Sequence, residues 1–251
     1  MPNPLVTPLV LVGLLLALAA WIAVALWRSP YTPVQSVLYF INVLLTRVLW
    51  RTQVLGRWTL PPDQGAVIVC NHSSSVDPFF IQLATGRPVH WMVAAEYFRI
   101  PLVGTVFRYL GTIPTRRAGV DTAATRTAIH LATEQRLVGM LPEGRINDTP
   151  AILLPARPGA LLVALKARVP IIPCYISGAP YDGTVWGCFF TPAKVQLNLG
   201  QPIELTAYAE HAPTPELQAR LTLCVMRQIA QLAGHQDFQP TLAGRKWSPR
   251  Q

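Results

Sequence analysis

The sequence predicts an α/β domain preceded by membrane-associated helices. Three observations carry this prediction. Beyond Pro61 and Pro62, short apolar runs alternate with helical stretches, the signature of strands and helices taken in turn. From Leu5 to Trp27 there is no charged residue, and such a stretch is long enough to span a hydrocarbon layer of about 30 Å. Charged residues make up only 13% of the 251 against 51% hydrophobic, where soluble domains carry about 25% charge.

The net charge of +9 fits either nucleic acid or an anionic bilayer. The arrangement of charge favours the bilayer. No acidic residue precedes Asp63, and Arg28, Arg47, Arg51 and Arg57 flank or interrupt apolar segments. A Lys-rich arm or nucleic-acid motif is absent, so nucleic acid is not an expected partner. Cys70, Cys174, Cys188 and Cys224 form no CxxC pair and no cluster with His, so they read as reduced packing residues without structural zinc.

Taken in order, Leu5 to Trp27 reads as a transmembrane helix rather than a cleaved signal, because no Lys or Arg precedes it and a second apolar segment follows. The arginines on its C-terminal side place the rest of the chain in the cytoplasm. Pro33 to Trp50 reads as an interfacial or re-entrant helix, with Trp50 and Trp58 as headgroup-level anchors; a core helix packed on the domain is the alternative. Expected strands are Ala66 to Cys70, His90 to Ala94, Leu137 to Leu141, Ile171 to Ser177 and Lys194 to Leu199. Helices are expected from Asp77 to Leu83, Pro101 to Leu110, Asp121 to about Gln135, Pro158 to Ala167 and Thr214 to Gly234. The tail from His235 to Gln251 reads as loosely structured.

Four constellations bear on chemistry. Asn71-His72-Ser73-Ser74-Ser75-Val76-Asp77 follows a buried strand, where open α/β sheets place ligand sites. His72 and Asp77 can fold together so that the carboxylate orients the imidazole and supports the imidazolium formed on taking a proton. Asp77 before Pro78 fits a helix cap equally well. The three serines read as loop or capping residues, since no GxSxG elbow occurs. Pro142-Glu143-Gly144-Arg145 breaks the next strand and can bring a carboxylate, backbone N–H groups and a guanidinium to the same side of the sheet. Gly111 to Arg117 puts the adjacent Arg116-Arg117 pair after a short strand, suited to a phosphate. Val169 to Pro173 is a strand bracketed by prolines.

These four elements, in this order, resemble the glycerolipid acyltransferases, the family of 1-acylglycerol-3-phosphate acyltransferases. Asn71-His72 to Asp77 is similar to the family's His-x4-Asp motif, Gly111 to Arg116 to its acceptor motif, Glu143-Gly144 to its Pro-Glu-Gly motif, and Val169 to Pro173 to its Pro-bracketed strand. The resemblance spans about Val67 to Ser177. It implies a mainly parallel central sheet flanked by helices and preceded by membrane-binding helices; with the charge and hydropathy pattern, the expected division is an anchor over residues 1–28, an interfacial helix over 29–60, the acyltransferase domain over 61–234 and a tail over 235–251. The resemblance implies catalysis by His72 and Asp77, substrate binding by Arg116, Glu143 and Gly144, and no cofactor; Arg117 and Arg145 are further phosphate-binding candidates on their charge and position. The co-substrate that the resemblance implies is an acyl thioester, acyl-CoA or acyl-ACP, and the acceptor a lysophospholipid, with acyl carrier protein a candidate partner; the expected setting is a bacterial inner membrane or its equivalent. Arg145 directly after Gly144, and Pro114 within the acceptor motif, depart from the commonest pattern; both bear on acceptor identity rather than reaction class. A lipid hydrolase would need the missing nucleophile elbow, and a non-catalytic surface protein leaves His72, Asp77 and Glu143 together unexplained.

Overall fold

Apolar runs lacking any polar position become strands covered on both faces. The computed structural model describes residues 6–116, 122–208 and 214–244. Its first half runs α1 (Val6–Trp27), α2 (Pro33–Leu44), β1 (Gln53–Leu55), β2 (Ala66–Cys70), α3 (Asp77–Thr85), β3 (Val89–Ala94), α4 (Pro101–Tyr109) and β4 (Ile113–Thr115). The second half runs α5 (Thr122–Thr133), β5 (Leu137–Met140), α6 (Gly159–Ala167), β6 (Ile171–Ser177), β7 (Gln196–Leu199) and α7 (Pro215–Leu232).

The strands form one seven-stranded sheet in the order β1-β7-β6-β2-β5-β3-β4. Every neighbouring pair is parallel except β6 with β7. Helices cover both sides, as in the expected α/β class. Alternate residues of β2 serve the two faces, as the pleat requires. Val67 and Val69 join the layer completed by α5, α6 and α7, while Ala66, Ile68 and Cys70 join the layer completed by α3 and Trp50. Ala124, Ala128 and Ala132 are a buried i, i+4, i+8 row on α5 whose small side chains let that helix sit close.

Several expectations need correction. β1 was not anticipated: it is a three-residue edge strand with only its middle residue turned inward, too short for an alternation to register. Trp50 is no headgroup anchor. It is fully buried, its indole N–H donates to the Cys188 carbonyl at 3.1 Å, and Phe79 and Phe80 meet it edge-on. Cys224, read as a packing residue, is exposed on α7. The tail is tied down at least to residue 243: the Ala156 N–H donates to the Thr241 carbonyl and the Ala243 N–H to the Ala156 carbonyl, both at 2.9 Å. Asp121, the expected cap of α5, lies outside the described residues.

At the amino end α1 is one uninterrupted helix of 22 residues, about 33 Å at 1.5 Å per residue. Among the described residues no helix is long and apolar enough to cross a membrane, and several α1 side chains fall outside that set. α2 starts at a capping box between Thr32 and Gln35 and runs into a π-helical turn, Leu45–Leu49. Its polarity is reversed from that of a soluble amphipathic helix. Asn42 and Thr46 are buried, whereas Val37, Phe40, Leu44 and Val48 are exposed. The residues expected to lie at an interface therefore have a polar inner side and an apolar outer side.

Candidate active site

The site begins where β2 stops. The Asn71 side chain pins the strand end to β6: its Nδ2 donates to the Ile176 carbonyl at 2.9 Å and its Oδ1 accepts the Ile176 N–H at 2.7 Å. The chain then turns and presents His72, whose Nδ1 lies 2.9 Å from Asp77 Oδ2. A carboxylate only accepts, so Nδ1 carries the proton and the lone pair is on Nε2. The imidazole is 18% exposed and Asp77 fully buried.

Asp77 does more than meet His72. Its Oδ2 also accepts the N–H groups of Ser73 at 2.7 Å and Ser74 at 2.9 Å, and Oδ1 accepts the Ser73 hydroxyl at 3.2 Å. The capping alternative fails on geometry. Val76 occupies the cap position without a side-chain cap bond, and the Asp77 carboxylate turns back over the loop. Ser74 Oγ donates to the Pro180 carbonyl at 2.6 Å and Ser75 Oγ to the Val185 carbonyl at 2.8 Å. These two hydroxyls brace a neighbouring loop.

The loop after β5 grips the same turn. Glu143 is 1% exposed; one oxygen accepts the His72 N–H and the other the Leu154 N–H, each at 2.9 Å. The Asn147 N–H donates to the His72 carbonyl at 2.6 Å, so the loop holds both backbone polar groups of His72. Gly144 permits the tight turn through its φ of +70°. Burial pushes the Glu143 carboxyl up to about 7, against the opposing pull of its two N–H bonds and of nearby His72. Gly144 is exposed and Arg145 partly so. Glu143, expected at the substrate, has both oxygens committed to the backbone instead, a placement that positions His72.

The third motif lies farther along the same edge. His90 Nδ1–H donates to the Gly111 carbonyl at 2.8 Å, and burial pushes the His90 pKa down. Gly111 has φ of +65°, and a Cβ there would sit 2.9 Å from that Nδ1. Arg116 follows β4 and is exposed; Arg117 lies outside the described residues. Because β2, β5, β3 and β4 are parallel neighbours, their carboxyl ends share one edge of the sheet. Arg145 follows the strand beside β2, and Arg116 the third strand over, about 14 Å away at ~4.8 Å per strand.

His72, Asp77 and Glu143 are thus brought into one bonded group, with Arg145 and Arg116 ranged beside it. Sequence reasoning missed Asn71 as a clamp, Asn147 as a donor to His72, and His90. An Asn directly after a wholly apolar strand was the available signal for the first; the others depend on tertiary contacts with no local pattern.

The sequence model of the Acyltransferase family matches residues 51–177. The 1-acyl-sn-glycerol-3-phosphate acyltransferase of Bacillus subtilis is 28% identical over 188 residues, covering 74% of this chain and 89% of its own length. The human 1-acyl-sn-glycerol-3-phosphate acyltransferase alpha is 32% identical over 136 residues, 51% of this chain and 46% of its own. In structure, the 1-acyl-sn-glycerophosphate (LPA) acyltransferase PlsC from Thermotoga maritima superposes with a TM-score of 0.61 at 25% identity, covering 79% of this chain and 80% of the other.

Proposed function

The chain belongs to the acyltransferase family, and on that premise we propose that it moves a fatty acyl group from an acyl thioester to the free hydroxyl of a lysophospholipid. The acceptor proposed is 1-acylglycerol-3-phosphate and the product phosphatidic acid, with acyl-CoA or acyl-ACP as donor. The observation that carries this reading is the His72–Asp77 contact at 2.9 Å on a loop at the carboxyl end of a central strand. An alcohol is a poor nucleophile at neutral pH and needs such a base.

In the proposed reaction the acceptor hydroxyl gives its proton to His72 Nε2 while its oxygen attacks the thioester carbonyl. The tetrahedral intermediate collapses by breaking the carbon–sulfur bond. The imidazolium returns the proton to the departing thiolate, so that ester and thiol leave and His72 is restored. Asp77 holds the tautomer and supports the positive ring. Glu143 acts through the backbone of His72 rather than on substrate. Arg116, Arg117 and Arg145 are assigned to phosphate. No cofactor is required, because the thioester is already activated.

Both substrates carry long apolar chains, so the reaction belongs at a membrane. α1 serves as the anchor and the apolar outer side of α2 as an interfacial contact, with the domain on the cytoplasmic side of a bacterial inner membrane or its equivalent. The test is to incubate the purified protein in proteoliposomes with labelled acyl-CoA, without acceptor and with a panel of lysophospholipids. Labelled diacyl product greatest with 1-acylglycerol-3-phosphate is expected. Release of free fatty acid without acceptor would mark a hydrolase, and neither product would leave the domain non-catalytic.

A further inference from the structure

Between β6 and β7 the chain makes a long excursion that the reaction itself does not use. Its second half forms a 3-10 turn, Gly187–Phe190, which splits two adjacent phenylalanines. Phe189 turns inward, with ring centroids 5.7 Å from Phe79 and 6.2 Å from Trp50. Phe190 turns outward and is 85% exposed, and Trp186 beside it is 49% exposed. Two large aromatics held in water on a firmly packed turn call for a partner.

The packing is firm on two sides. Toward the site, Ser74 and Ser75 hold the Pro180 and Val185 carbonyls, so the excursion is bolted to the turn that carries His72. Toward the amino end, the Ala193 N–H donates to the Leu49 carbonyl at 3.2 Å and the Val195 N–H to the Trp50 carbonyl at 3.1 Å. The exposed aromatics thereby adjoin the end of α2 and its π-helical turn, whose outer residues Phe40, Leu44 and Val48 are exposed and apolar. Arg47, Arg51 and Lys194, all exposed, give this border a positive charge. The loop's acid, Asp182, turns its Oδ1 onto the Thr184 N–H at 2.9 Å and hydroxyl at 2.8 Å.

Resting on the functional reading above, we infer that residues 180–191 are a bilayer-docking loop, with Trp186 and Phe190 seated among lipid headgroups, that sets the depth at which His72 meets the lysolipid. An apolar centre with a basic border is complementary to an anionic lipid surface. Aromatic rings are suited to the headgroup level. The inference also gives Ser74 and Ser75 a task, since they transmit the height of the docked loop to the catalytic turn.

Two measurements on the full chain in phosphatidylglycerol/phosphatidylcholine proteoliposomes test this. An environment-sensitive fluorophore is placed at position 190 through Phe190→Cys in a Cys224→Ser background, with Gln231→Cys, on an exposed site of α7, as the control. Blue-shifted emission quenched by doxyl lipids is expected at 190 and not at 231. Separately, Phe190→Asp is expected to lower kcat/KM by about tenfold for a long-chain lysolipid in vesicles while leaving a short-chain, water-soluble acceptor unchanged. A fluorophore at 190 as wet as that at 231 overturns the inference, as does equal loss on both acceptors. A defect confined to acyl-carrier-protein donors would instead make the loop a seat for the carrier protein, which also overturns it. Failure of the wild-type protein to transfer to any acceptor would defeat the functional reading, whereas the fluorescence result does not depend on turnover.

Discussion

Replacing Asp77 by Asn separates the two tasks of this side chain, because the structure predicts which way the amide will face. The Oδ2 position receives three donors, from His72, Ser73 and Ser74. An NH2 group there would confront two fixed backbone N–H groups, so the amide oxygen must take that place. His72 then keeps its tautomer and loses only the negative charge. A unit charge about 4 Å from the centre of the imidazolium is worth about 4 kcal/mol at an effective dielectric of ~20, which corresponds to a fall in kcat of about 10³. The two backbone bonds become neutral instead of charge-assisted, costing about 1 to 2 kcal/mol of stability and a few degrees in Tm. The assay is turnover at saturating donor and acceptor, alongside a thermal melt. If Asp77→Asn kept turnover within about tenfold of wild type while Tm fell as stated, the carboxylate would be holding the loop alone and the base mechanism would be wrong.

Three further outcomes are expected. Glu143 has its pKa raised from 4.5 to about 7, so the folded state holds more protons than the unfolded one between those values and stability falls as pH rises through them. Unfolding free energies from urea titrations of wild type and Glu143→Gln should show the gap shifting toward the Gln variant by about 3 kcal/mol between pH 4.5 and 7; a constant gap would mean that folding does not raise this pKa. Arg116→Ala should raise the acceptor KM by about one to two orders of magnitude with the donor KM nearly unchanged, and Lys should rescue only partly because a point charge lacks the planar fork; an effect on the donor alone would reassign this arginine to the phosphates of CoA. Gly111→Ala puts a Cβ against the His90 ring at a positive φ, and should cost about 1 to 3 kcal/mol on thermal denaturation; an unchanged Tm would show that the turn is free to relax.

How far the sequence reached can be judged from particular residues. The central strands were legible because β2 and β6 are apolar almost throughout and end at a polar residue or Gly178. β1 was not, since a three-residue edge strand carries no periodicity. His72 and Asp77 were legible as a pair through their spacing, while only the tertiary contacts show that the Asp77 carboxylate faces the loop and does not cap the helix. The sequence singled out Glu143 for the right region and the wrong contact: a carboxylate in a turn reads as exposed, and nothing local reveals that backbone N–H groups of His72 and Leu154 will enclose it. Trp50 misled for a similar reason. Its flanks resemble an interfacial anchor, and its burial depends on Cys188 and Phe189, remote in sequence.

The edge pairing of β1 with β7 has a consequence in time. On a chain made from its amino end, Gln53 waits roughly 140 residues for Gln196, its partner in the register, and closing so long a loop delays the contact. The Trp50 indole waits nearly as long for the Cys188 carbonyl. During synthesis, then, α1 and α2 leave the ribosome while the segment joining them to the sheet has nothing to pair with. They can settle in their final surroundings first, and the domain closes onto them last.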